Sequence, residues 1–89
     1  MASGVSTKFM SSAFLLSPAQ CRAARGLLAW SQTELASAAG VGRATLADFE
    51  RGAREPIGNN LRAIRRALED AGVKFVEEGL GGVVLLPPP

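Results

Sequence analysis

Residues 31–52 read SQTELASAAGVGRATLADFERG. Two short runs with apolar residues at helical spacing flank a Gly-Val-Gly turn. Ser31 is followed three residues later by Glu34. Ser-x-x-Glu is a capping box, in which each side chain satisfies a backbone amide of the other residue. Leu35, Ala36 and Ala39 then form one apolar stripe. Gly40 supplies a left-handed stop, Val41 is an apolar plug inside the turn, and Gly42 opens a second run, RATLADFE. In that run Leu46 and Phe49 point inward, whereas Arg43, Ala44, Ala47 and Asp48 point outward. Arg51-Gly52 closes it. Helices of about two turns are marginal alone in water. These two need a core supplied from elsewhere in the chain.

The flanking sequence supplies that core. Ser17-Pro18 opens a preceding helix, because Ser caps free amides and Pro suits the first turn. The run PAQCRAARGLLAW places Cys21, Ala24, Leu27 and Leu28 at helical spacing, and Trp30 ends it. After the loop AREPIG, Asn59 or Asn60 can cap a last helix. Its Leu61, Ile64, Leu68 and Ala71 form one stripe, its wet face carries Arg62, Arg65, Arg66, Glu69 and Asp70, and Gly72 stops it. The period then changes. VKFV alternates, EEGLGG is turn-rich and VVLL is an apolar run, which together predict a β-hairpin. A lone hairpin is marginal in water and needs a surface to pack on. Its open edge can also pair with the same edge of a second copy. A homodimer through Val73, Phe75, Val83, Val84 and Leu85 is therefore expected.

The expected fold class is mainly α, a bundle of about four helices with a C-terminal β-hairpin. The expected organisation is an N-terminal arm over 1–16, a helical domain over 17–72 and the hairpin over 73–89. Within the arm, Phe9, Phe14, Leu15 and Leu16 either stay mobile or pack on the domain or on a second subunit.

Composition narrows the function. At 89 residues the chain has room for one modest core, and 47% hydrophobic residues with 6% aromatics make it a Leu/Ala/Val core. Net charge is only +2, but six arginines fall within residues 43–66. The planar guanidinium fork suits phosphate and guanine edges, although such a run also fits a solvated helix face. There is no His and one Cys, which excludes a zinc cluster, a Cys/His catalytic pair and an intramolecular disulfide. Cys21, on an apolar helix face, reads as a buried, inert thiol. No enzyme activity, metal or cofactor is expected. No run approaches the ~18 apolar residues of a membrane span, and the start of the chain lacks the features of a secretory signal. A cytoplasmic location is expected.

A capped helix, a Gly-containing turn and a second helix with one outward face make a helix-turn-helix. The sharp break lets the first helix brace across the DNA backbone while the second enters the major groove. Residues 18–71 resemble the lambda-repressor/Cro-like helix-turn-helix, or XRE family, of transcriptional regulators. The resemblance is carried by Gln32, Glu34-Leu35-Ala36, Gly40-Val41, Thr45-Leu46 and Glu50-Arg51-Gly52, followed by Arg54 and Pro56. The layout of the tail is similar to short bacterial members. Two features depart from the family pattern. Gly42 stands where a small hydroxyl residue is common, and four helices are counted where five are common.

The resemblance implies residue roles. Gln32 would reach a phosphate, with Ser31, Gly42, Thr45, Arg51 and Arg54 completing a phosphate-contact set. Ser31 also has its cap to serve, and Gly42 has no side chain to offer. Arg43 is the chief base-reading candidate, because Arg paired with guanine O6 and N7 is the commonest specific contact. Ala44 and Ala47 are short enough to allow close approach and to touch thymine methyls. Asp48 would accept from cytosine N4 or orient Arg43 or another Arg. Glu50 would pair with Arg25 inside the fold. The implied partner is double-stranded DNA, bound by a homodimeric regulator, with repression by occlusion the simplest mechanism. The competing reading is an antitoxin or antiactivator module that grips a protein partner through the apolar tail or arm.

Overall fold

The computed structural model describes residues 15–76 and 82–85. Four helices are followed by a two-stranded antiparallel hairpin: α1 (Pro18–Leu28), α2 (Gln32–Ala39), α3 (Arg43–Glu50), α4 (Gly58–Asp70), β1 (Val73–Val76) and β2 (Gly82–Leu85). This is the expected mainly α bundle with a terminal hairpin.

Capping chemistry sets the helix starts. In α2, Glu34 N–H donates to Ser31 Oγ at 3.0 Å and Ser31 N–H donates to Glu34 Oε1 at 2.7 Å. The same box opens α1. Gln20 N–H donates to Ser17 Oγ and Ser17 N–H to Gln20 Oε1, both at 3.0 Å. Gly40 ends α2 in the left-handed region at φ 71°, a conformation that costs Gly little. Ala29 ends α1 in the same region at φ 58°, which is costly for a residue with a Cβ. The start of α3 has no side-chain cap, since Gly42 is the capping residue. The start of α4 differs from the sequence expectation. Ile57, not Asn59 or Asn60, occupies the cap, and no side chain caps it. Asn59 lies inside the first turn, where its Oδ1 accepts from Arg62 Nη2 at 2.8 Å.

The core joins all the elements. Leu16, Cys21, Ala24, Leu35, Leu46, Leu61, Ile64 and Leu68 are fully buried, with Phe49 close behind. α2 packs on α3 and α4, α1 packs on α3, and the hairpin covers the remaining side, with β2 on α1 and β1 on α4. Full burial of one Leu or Ile removes apolar surface worth roughly 1.5–3 kcal/mol. The two short helices gain that only through their neighbours. Leu27 was expected in the α1 stripe but stands 43% exposed. One residue before Leu28, it lies ~100° around the helix from the Cys21–Ala24–Leu28 line.

Of the courses open to the arm residues, Leu15 and Leu16 pack on the domain: Leu16 is core and Leu15 packs against it; Phe9 and Phe14 lie outside the described residues. The hairpin packs on α1 and α4, which supply the surface that a lone hairpin needs. Its register pairs Val73 with Leu85, Lys74 with Val84, Phe75 with Val83 and Val76 with Gly82. Alternation turns Val73 and Phe75 into the chain's own core, at 3% and 6% exposure. Those two side chains are therefore unavailable to a second copy. Val76, Val84 and Leu85 remain exposed, and Val83 is half-buried. Finally, Arg65 is not simply on the wet face. Its guanidinium lies 4.9 Å from the Phe75 ring centroid, donates to the Leu15 carbonyl and pairs with Glu69 at 3.0 Å. It ties α4 to the hairpin and to the chain leading into α1.

No helix among the described residues is long and apolar enough to cross a membrane. No group of three His, Cys, Asp or Glu among them is placed to hold a metal ion.

Candidate nucleic-acid interface

α3 is divided by its own periodicity. Leu46, Phe49 and Glu50 face in and are buried. Arg43 and Ala44 are exposed, and Thr45, Ala47 and Asp48 are half-buried on the outer side. The inward carboxylate is the unusual member, because a buried charge needs partners. Glu50 has several. Arg25 Nε donates to Oε2 at 2.7 Å and Arg25 Nη2 to Oε1 at 2.8 Å, a fork-to-fork contact. Gln32 Nε2 donates to Oε1 at 3.0 Å, and the Cys21 thiol donates to Oε2 at 3.0 Å. No buried side-chain nitrogen or oxygen among the described residues lacks a partner.

The electrostatics follow from these contacts. Burial alone pushes the Glu50 carboxyl upward. The hydrogen bonds from Arg25, Gln32 and Cys21, with the charge of Arg25, outweigh it and hold the group below the usual carboxylate range. The bond to Glu50 raises Arg25 further, against the opposing effect of its partial burial. Burial, then the bond to Glu50 and its negative charge, push the Cys21 thiol far above its ordinary value. A thiol held protonated is a poor nucleophile.

This buried cluster mounts the outer surface. Arg25 Nη1 also donates to the Trp30 carbonyl at 2.9 Å, which fixes the turn before α2. Gln32, at the first position of α2, uses its amide nitrogen on Glu50 and its carbonyl oxygen on Arg43, whose Nη1 donates at 3.2 Å. A continuous chain of contacts thus runs from Arg25 through Glu50 and Gln32 to Arg43. Asp48 meets Arg51 rather than Arg43, at 2.8 Å. After Gly52, at φ 76°, the chain folds back, and Ala53 N–H donates to the Asp48 carbonyl at 2.9 Å. Arg51 and Arg54 are exposed on this loop.

The structure brings Gln32, Arg43 and Arg51 to the α2–α3 surface. Ser31 is exposed, but its hydroxyl serves the cap. Gly42 contributes backbone alone. The basic residues of α4 have other partners: Arg62 holds Asn59, and Arg66 lies 3.9 Å from Asp70. Two residues that sequence reasoning left out also belong to the site. Cys21 joins the Glu50 cluster, and its position four residues before Arg25, on the same helix face, was the available signal. Arg22 donates to the Glu50 backbone carbonyl, a contact that no local pattern in the sequence marks.

The family described as Helix-turn-helix matches residues 22–69, more than half of the chain. No curated protein matches it. The matched span begins inside α1 and stops one residue short of the end of α4, and so covers the capped brace, the turn, the outward-facing helix and the buried pair behind it. The chain belongs to the XRE-type helix-turn-helix family of DNA-binding regulators.

Proposed function

We propose that this chain is a sequence-specific transcriptional regulator, acting as a repressor that occludes a palindromic operator. α3 would enter the major groove, while the start of α2 and the loop after α3 would meet the phosphate backbone. The observation that carries this reading is Arg43. It is exposed at the leading end of α3 and is held by Gln32, which is itself anchored on the buried Glu50. An Arg presented in this way suits guanine O6 and N7, worth ~1–3 kcal/mol of discrimination. Ala44 and Ala47 leave room for the helix to approach. Asp48, through Arg51, orients a phosphate contact, and Ser31, Gln32, Gly42, Thr45 and Arg54 complete the backbone set.

A homodimer would place two such helices on half-sites about one helical turn apart, ~34 Å. The exposed Val76, Val84 and Leu85 of the hairpin favour this pairing. The same residues also favour the second reading, an antitoxin or antiactivator gripping a protein partner. Co-purification of a stoichiometric partner supports the second reading, and a lone soluble dimer supports the first.

The test is in vitro selection from a random duplex library at fixed salt, with wild type and Arg43→Ala in parallel. The expected result is a palindrome containing a guanine that the variant no longer selects. If wild type enriches no sequence, the reading is wrong.

A further inference from the structure

A cleft of about 400 Å³ opens beside α3, lined by Arg22, Arg25, Gln32, Ala47, Glu50 and Arg51. It lies between α1, the first residue of α2 and the outer side of α3. Its walls bear three guanidinium groups and one carboxylate. That carboxylate, Glu50, is already spent on Arg25. Arg22 donates to a neutral group, the Glu50 carbonyl at the end of α3. The last carbonyls of a helix attract cations and hold them in place. Arg22 is therefore fixed at the cleft while its charge is not offset by that contact. Opposite, Arg51 uses one terminal nitrogen on Asp48. A guanidinium has five N–H donors, so others are left to face the cleft.

We propose that this cleft seats a phosphodiester of the DNA backbone, and that Arg22, from α1, is a DNA-contact residue acting together with Arg51. The proposal rests on the DNA-binding reading and extends it to a helix outside the helix-turn-helix proper. Two guanidinium forks around one cavity match the tetrahedral oxygens of a phosphate. The duplex is the favoured source, because one wall of the cleft is Ala47, on the outer side of the helix that would enter the groove. A phosphate seated there would lie against α1, α2 and α3 together. It would fix the angle of α3 without reading a base.

The test compares wild type, Arg22→Gln and Arg22→Lys on the selected duplex and on a scrambled one across a range of salt. Each phosphate contact contributes about 0.9 to the slope of log affinity against log salt. Arg22→Gln is expected to lower that slope by about 0.9 and to weaken binding about eightfold at 0.1 M salt on both duplexes. The preferred sequence should stay unchanged. Arg22→Lys, which keeps the charge, should restore most of the slope. An unchanged slope in Arg22→Gln overturns the proposal while leaving the DNA-binding reading intact. A wild type that binds neither duplex overturns both. If Arg22→Gln fails to fold, the tie to the Glu50 carbonyl is the whole role of Arg22 and the proposal falls. A parallel arm measures thermal unfolding in inorganic phosphate against chloride at matched ionic strength. An Arg22-dependent stabilisation by phosphate, with an unchanged DNA slope, would assign the cleft to a free anion and overturn the duplex.

Discussion

Glu50 and Asp48 sit two residues apart on α3, and each meets an arginine at nearly the same distance. Arg25 lies 2.7 Å from Glu50, and Arg51 lies 2.8 Å from Asp48. The surroundings differ. The Glu50 side chain is 3% exposed, and that of Arg51 is 69% exposed. Water screens and competes for the outer pair, which pins two side chains for little net gain. Glu50 has lost its water, so it depends on the donors that replace it. Contact distance alone therefore says little about an ion pair's weight. What matters is what replaces the partner when it is removed.

That contrast can be broken most directly at Arg25. Arg25→Ala leaves Glu50 buried with only Gln32 and Cys21 as side-chain donors. It should cost ~3–5 kcal/mol in denaturant unfolding, a large share of the ~5–15 kcal/mol that holds a small domain together. A loss below about 1 kcal/mol would erase the distinction between the two pairs. If Arg25→Ala instead abolished DNA binding with an unchanged melting temperature, Arg25 would be an interface residue rather than a fold residue.

A smaller effect is expected from acid. The folded carboxyl value of Glu50 lies below its unfolded value. Its contribution is therefore complete above the unfolded value of about 4.3 and is lost as pH falls through the folded one. Wild-type stability should decline across that acid window, and the decline should be shallower in Glu50→Gln. Parallel stability–pH curves for the two proteins would show that Glu50 is not the group responsible.

The smallest effect belongs to the outer pair. Arg51→Ala should change unfolding free energy by less than about 0.5 kcal/mol, yet it should weaken binding to any duplex. A stability loss as large as that of Arg25→Ala would mean that the outer pair carries structural weight despite its exposure.

The same distinction explains how much of the molecule was legible in its sequence. Local rules worked where local chemistry decides. Ser31 with Glu34, Gly40, and the inward placement of Leu46 and Phe49 all follow from spacing within a few residues. The Ser17–Gln20 box obeys the rule that identified Ser31–Glu34 and was readable in the same way. Ala29 was not, because a left-handed cap is usually marked by Gly, and here the flanking hydrogen bonds, among them Trp30 N–H to the Arg25 carbonyl at 3.0 Å, hold an Ala in its place. Asn59 and Asn60 misled because α4 begins at Gly58, two residues earlier than a cap at Asn59 would place it. The roles of Arg22 and Arg65 were beyond local reading. Each reaches a carbonyl far along the chain, 28 and 50 residues away. The Arg25–Glu50 pairing was legible only through family resemblance, since nothing local relates positions 25 and 50.

The inner and outer division of α3 bears on how such a regulator can change over generations. Leu46, Phe49 and Glu50 hold the helix to the body, whereas Arg43 and Ala44 face solvent. Exposed positions of that kind accept substitution at a cost usually within ±0.5 kcal/mol. The outward positions of α3 can therefore be exchanged at little cost to the fold, whereas the inward positions that mount the helix cannot.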